Sequence, residues 1–342
     1  MNNFRGILLK STLPVLIGLS VVAWLFVKDF NWDDWKDINW SYHVVIALIL
    51  AFVALIGREF GLMWRFRVLS DKRLNWMSSF RVTLLCEFTS AITPTTAGGS
   101  ALSMVFMSKE GVSSGRATTI TLTTFLLDEA FFVLMCPLIF ILVGKSQLFG
   151  FDLTKVESGI RAAYWIVWGG IVLITALLFV GILIKPHVIR NILLKLFSFG
   201  KLKKWFPKVD KLTAEMITTS CEIKDKSYDW WFKACSATVI SWFSRFMIVN
   251  ALFYAFAEYA SQIVVFARQT VVWTLLTVSP TPGGSGVSEW LFTTYYGDLL
   301  NDVSIALVIA LFWRIITYYI YLAIGITLLP SWIRKPRINK YD

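Results

Sequence analysis

The chain has 342 residues, 56% of them hydrophobic and only 16% charged, with a mean hydropathy of +0.64. A soluble domain cannot bury that much apolar surface, so an all-α polytopic membrane protein is expected. The net charge of +11 is read as a product of membrane topology, and no nucleic-acid partner is expected.

Apolar segments that can cross a hydrocarbon core of about 30 Å, at about 20 residues each, fall at 7–27, 43–64, 117–143, 162–184, 234–257 and 303–329. Six full transmembrane helices are expected. Arg5 and Lys10 precede the first, but "VVAWLFVKDFNW" offers no small-residue cleavage site, so it reads as a retained anchor. The next stretch, "KDFNWDDWKDINW", sets four aspartates against two lysines and carries Trp32, Trp35 and Trp40, which suits an outward loop with an interfacial aromatic belt. The loop from Arg65 to Arg81 is basic, segment 185–233 holds eleven Lys/Arg against five Asp/Glu, and the tail holds Arg334, Lys335, Arg337 and Lys340. These regions belong in the cytoplasm, with both termini.

Two interruptions stand out. Arms Phe80–Thr93 and Ala101–Glu110 flank Pro94 and the pair Gly98-Gly99, and arms Ile263–Ser279 and Val287–Asp298 flank "PTPGGSG". Such short arms predict two re-entrant helical hairpins. The charge pattern opens the first to the cytoplasm and the second to the outside, so 43–143 and 234–329 are expected to form inverted-topology repeats. Segment 185–233 is then their cytoplasmic connection, within one integral membrane domain, 1–342. "GGSALS" from Gly98 matches "GGSGVS" from Gly283 at an offset of 185 residues, which also carries Glu129 onto Arg314. Arg58 and Arg245 precede their glycine pairs by 40 and 38 residues.

Broken helices at mid-membrane are tolerated where they line a cavity or are buried in protein. Gly98, Gly99, Ser100, Gly283, Gly284 and Ser285 are therefore candidate binding residues. Ser100 and Ser285 suit helix N-caps, and free N–H groups at a positive helix end suit a phosphate. Arg245 and Arg314 are oxyanion-binding candidates, Glu289 is a further binding candidate, and Asp128 and Glu129 are candidates for coupling or gating. A charge at mid-membrane costs at least about 2.5–3.5 kcal/mol unless paired or hydrated, so these groups are expected to face inward. A structural alternative stays open, in which the glycines only pack helices together and Asp128 or Glu129 pairs with Arg314. The basic, apolar stretch from Lys185 suits either a helix on the inner leaflet or an ordinary cytoplasmic loop.

Cys86, Cys136, Cys221 and Cys235 form no CxxC, and His43 and His187 are the two histidines. With no HExxH, GxSxG, P-loop or GxGxxG, neither metal nor cofactor is expected, and the chain is not expected to be an enzyme.

The motif Pro280-x-Pro282-Gly283-Gly284-x-Gly286-x-x-Glu289, followed by Arg314-Ile315-Ile316-Thr317-Tyr318, resembles the family named for the transmembrane region of lysylphosphatidylglycerol synthases, also called flippase-like or YbhN-like. The likeness spans about 7–329. The first half departs from the family pattern: no glutamate follows Gly98-Gly99, and Glu129 stands where arginine is common. The resemblance implies lipid translocation in a bacterial cytoplasmic membrane. Since some members carry a soluble aminoacyl-transferase domain and this chain shows none, it is expected to move an anionic or phosphate-bearing lipid made by a separate enzyme. A transporter of a water-soluble anion and a membrane enzyme acting on lipid phosphates remain the alternatives. Homo-oligomer formation, headgroup, direction and energy source are left open.

Overall fold

The computed structural model describes residues 42–93, 99, 101–149, 155–198, 203, 205–257, 259–300 and 303–334. The expected crossing at 7–27, the loop that follows it, Gly98 and Ser100 lie outside the described residues. The described elements are all helical. They are α1 Tyr42–Leu69, α2 Trp76–Ile92, α3 Ser103–Lys109, α4 Ser114–Val143, α5 Lys145–Phe149, α6 Lys155–Phe179 and α7 Pro186–Phe197. Then come α8 Phe206–Lys224, α9 Tyr228–Phe256, α10 Gln262–Leu276, α11 Val287–Tyr296, α12 Val303–Arg314 and α13 Ile320–Arg334. Two π turns, Val180–Ile184 and Ile315–Tyr319, extend α6 and join α12 to α13.

Five helices are long and apolar enough to cross a membrane: Tyr42–Leu69, Ser114–Val143, Gly159–Ile184, Tyr228–Phe256 and Ile305–Arg334. They coincide with the five expected crossings that fall on described residues. Between them lie two helix–break–helix units, α2 with α3 and α10 with α11. Their arms run 17, 7, 15 and 10 residues, each short of a full crossing.

Local chemistry sets the ends of these arms. Asn75 caps α2, its Oδ1 accepting from the Ser78 N–H at 2.7 Å. Helix α2 stops at Ile92 because Thr93 precedes Pro94, and a residue before proline is pushed to extended backbone, here φ −105° and ψ 147°. In α4 the first half is rich in threonine. Thr118, Thr119, Thr121 and Thr123 each donate to the carbonyl four residues back, so these hydroxyls are satisfied without water.

Helices α1 and α9 pack antiparallel, with Gly57 against Ser244 and Gly61 against the backbone of Ala237 and Ser241. Small residues let the two backbones approach where lipid gives no hydrophobic drive. Arg65, counted in sequence as a loop charge, lies within α1 and is buried.

Each two-armed unit is fastened at its open end by an arginine and a carboxylate. In the first, Arg81 of α2 holds Glu110 beyond α3 at 2.6 and 2.9 Å. Trp332 of α13 donates to the same carboxylate at 2.9 Å, and Lys109 donates to the Trp332 and Ile333 carbonyls at 2.8 and 2.7 Å. In the second, buried Arg268 of α10 holds Asp298 at 2.7 Å and also donates to the Tyr295 and Gln147 carbonyls at 2.7 and 3.0 Å. Burial alone would raise the Glu110 carboxyl, but hydrogen bonds from Arg81, Ser78 and Trp332 hold it below its ordinary value of 4.5. A depressed carboxylate stabilises the fold above its ordinary pKa and loses that contribution as pH falls. Glu110→Gln is therefore expected to melt below wild type at neutral pH, with the gap closing as pH drops through the carboxylate range. A constant gap in detergent melts across that range would remove Glu110 from the acid response.

Candidate functional site

The second break is built from residues that cannot continue a helix. After α10, Pro280 and Pro282 have no N–H to give, and Gly283, Gly284 and Gly286 take φ of +57°, +70° and +83°, where glycine alone is unstrained. The Gly283 N–H donates at 3.2 Å to the carbonyl of Thr93, where α2 ends. A Cβ on Gly283 would stand 2.8 Å from the Ala91 carbonyl oxygen and 2.2 Å from the Tyr318 ring. The two breaks therefore meet. In the first, Gly99 presses back on its own arm: a Cβ there would lie 2.2 Å from the Ser90 nitrogen.

Two expectations about the second break are corrected. Its N–H groups are not free: Gly284 donates to the Thr281 carbonyl at 3.0 Å, Ser285 to the Pro282 carbonyl at 3.1 Å, and Gly286 to Glu289 Oε2 at 2.8 Å. Nor does Ser285 cap α11; Gly286 is the N-cap residue. Ser285 Oγ instead accepts from Arg314 at 3.2 Å and donates to the Tyr318 hydroxyl at 3.2 Å. Helix α11 begins one residue later than a Ser285 cap would place it, because Gly286 supplies the left-handed turn.

The buried charges sort into three sets. Arg314, 5% exposed, pins the second break: it pairs with Glu289 at 2.8 Å, donates to the Gly283 carbonyl at 3.1 Å, and lies over the Tyr318 ring at 3.8 Å. Asp128 is held through both oxygens by Arg65, one contact being 3.1 Å, and Trp242 Nε1 donates to it at 2.7 Å. In place of the alternative pairing of Asp128 or Glu129 with Arg314, the pairs formed are Arg65–Asp128 and Arg314–Glu289. In the third set, Arg58, 2% exposed, reaches Glu87, Tyr321 and, at 2.9 Å, Glu59.

Arg245 is the least engaged of these cations. Its nearest carboxylate oxygen, on Glu87, is 3.4 Å away, and Glu87 is already held by Arg58. The rings of Trp242 and Trp273 flank the guanidinium at 4.9 and 4.5 Å from their centroids. Arg58 and Arg245, matched in sequence, sit close enough to share one glutamate.

These groups surround a cavity of about 140 Å³. Arg65, Glu87, Asp128, Glu129, Arg245 and Arg314 line it together with Gly283 and Gly284, and Leu62, Phe125, Phe132 and Leu276 supply apolar wall. Charged and greasy surfaces side by side suit a ligand with an ionic head and a hydrocarbon body. Among the described residues no three His, Cys, Asp or Glu side chains converge as a metal centre.

Of the candidates from sequence, Gly283, Gly284, Glu129, Asp128, Arg245 and Arg314 line the cavity, while Ser285 and Glu289 stand behind Arg314. Gly99 packs on α2, and Gly98 and Ser100 lie outside the described residues. Sequence reasoning passed over Glu87, Glu59, Arg65, Tyr321, Trp242 and Trp273. The signal for Glu87 was present, a lone carboxylate inside the apolar arm "VTLLCEFTS".

Comparison with known proteins agrees with this architecture. The family model for the lysylphosphatidylglycerol synthase TM region matches residues 11–325. A UPF0104 membrane protein of Archaeoglobus fulgidus is 25% identical over 331 residues, covering 91% of this chain and 93% of that relative. No solved structure matches. A match over nearly the whole length makes the chain a multi-pass integral membrane protein of the lysylphosphatidylglycerol synthase transmembrane-region family.

Proposed function

We propose that the protein moves a phosphate-bearing lipid between membrane leaflets, with Arg245 as the group that receives the phosphate. One observation carries this: a weakly engaged guanidinium, flanked by two indoles, faces a cavity beside the point where two helix breaks join. Arg314 anchors the second break and holds its carbonyl and serine in place, so it shapes the site from behind. Trp242 and Trp273 keep water from one side of Arg245, which strengthens its attraction for an oxyanion. The apolar wall leaves room for the chain-bearing part of a lipid.

The two helix–break–helix units are best read as inverted repeats. Antiparallel α1 and α9 carry the matched arginines to one glutamate, and the matched breaks touch through Thr93 and Gly283. In such an arrangement a rocking of one unit against the other exposes the same cavity to opposite faces. The expected orientation puts the basic connection and both termini in the cytoplasm, and the cytoplasmic membrane is the site of action.

The test is exchange of fluorescent-headgroup phospholipids and polyprenyl-phosphate lipids between leaflets of liposomes holding purified protein. Arg245→Gln is expected to slow exchange by about tenfold or more, the loss of a charge-assisted hydrogen bond being about 1.5–3 kcal/mol. Exchange by the variant at the wild-type rate would remove Arg245 from the phosphate site. No exchange of any lipid by folded wild type would remove translocation itself.

A further inference from the structure

Glu129 follows Asp128 on α4 and lines the same cavity, yet the two carboxylates differ in kind. Asp128 has both oxygens occupied by Arg65 and one also by Trp242. Glu129 has neither an ion pair nor a hydrogen bond among the described residues, and its Oε2 is buried. None of the arginines around the cavity pairs with it: Arg65 faces Asp128, Arg58 faces Glu59 and Glu87, Arg314 faces Glu289, and the weakly engaged Arg245 has its nearest carboxylate in Glu87.

The elements packed around α4 do not change that count. From α1 comes Arg65, from α9 Arg245 with Trp242, from α10 Trp273, with Thr277 just beyond its end, and Glu87, Arg314 and Tyr318 also line the cavity. Helix α6 runs antiparallel to α4, with Trp165 on Phe140 and Ile182 near Thr119, so its Arg161 lies on the side away from Glu129. Helices α3 and α8 meet α4 nearer its start, at Thr121 and Gly115, the second through Glu215. An ionised carboxylate without counter-charge at mid-membrane costs at least about 2.5–3.5 kcal/mol. One bound proton removes that cost, and one phosphate arriving at Arg245 changes the local charge balance by at least one unit.

Resting on the translocation reading above, we infer that Glu129 binds and releases one proton in each transport cycle, so that movement of the phosphate-bearing lipid is coupled to the proton gradient. The carboxylate takes the proton from hydronium in the water-filled cavity on one side, leaving water and a neutral acid. After the units rock, the acid returns the proton to water on the other side, and no other reactant is needed. Asp128, held through both oxygens by Arg65 and also by Trp242, is a structural partner.

The proposal is tested in proteoliposomes with the membrane potential clamped at zero and a pH gradient imposed. For one proton per lipid, each unit of gradient shifts the steady-state leaflet ratio of the labelled phospholipid by up to about tenfold, since one pH unit corresponds to about 1.4 kcal/mol. A pH-sensitive dye inside the vesicles is expected to report proton movement that starts when lipid is supplied. Glu129→Gln loses both the shift and the proton movement, and Glu129→Asp restores part of each. A second readout needs no transport: infrared difference spectra across pH show a protonated carboxylic acid in purified wild type that is missing in Glu129→Gln. Wild-type exchange that ignores the gradient overturns proton coupling and leaves translocation standing. The same carboxylic-acid signal in wild type and Glu129→Gln assigns the proton elsewhere. No lipid exchange in any condition overturns translocation, and the inference falls with it.

Discussion

Arg58→Met is expected to be the most destabilising single change in the site, costing about 3–5 kcal/mol, because it strands buried charge instead of merely deleting a contact. Arg58 is 2% exposed and holds Glu87, Glu59 and the Tyr321 hydroxyl together. Without it, two carboxylates are left with Arg245 alone, 3.4 Å from one of them. Thermal unfolding in detergent reads the loss directly. Adding Glu87→Gln to Arg58→Met should recover a good part of it, since the pair then leaves together, and the coupling between the two is measured by the double-mutant cycle. A single variant that melts like wild type would mean that the cluster is hydrated and cheap.

Gly283→Ala comes next. The left-handed backbone at φ +57° alone costs a non-glycine residue about 1–2 kcal/mol, and the new Cβ would stand 2.2 Å from the Tyr318 ring and 2.8 Å from the Ala91 carbonyl oxygen. Relief requires the second break to move off the first, which lengthens or severs the Gly283–Thr93 hydrogen bond. Lipid exchange should fall at least as sharply as stability. Gly284→Ala is the informative neighbour: its φ is +70°, but the nearest atom to a new Cβ is Leu276 Cδ2 at 3.3 Å, the end of a flexible side chain. The expected order is wild type above Gly284→Ala above Gly283→Ala in both melting temperature and exchange. A reversed order would show that the two breaks do not depend on their contact at Gly283.

Much of this architecture is legible in sequence because membrane helices announce themselves by length and apolarity, and Pro94 with Gly283-Gly284 marks where helices must stop. The partners of the buried charges are less so. Which arginine meets which carboxylate depends on how far each helix is rotated and how deep it sits, and neither is written in the local pattern. Hence Asp128, left open in sequence as one of two possible partners for Arg314, lies on Arg65, itself counted among loop charges because it stands close to the end of an apolar run. Ser285 read as a helix cap for a similar reason. The run Gly283 to Gly286 turns left-handed at three residues, and the cap falls where that turn ends, one residue beyond the serine.

The π turn at Ile315–Tyr319 gives the last long helix two separate bearings. A π turn accommodates one residue more than an α turn, and one residue is worth about 100° of rotation on a helix. The rod before the turn therefore presents Arg314 to the second break, while the rod after it presents Tyr321 to Arg58. Like a crankshaft with two throws, it ties the angle of one to the angle of the other. Removing a single residue from that turn would scarcely shorten the helix, yet it would swing Tyr321 away from Arg58 and disconnect the glutamate shared by α1 and α9 from the break it faces.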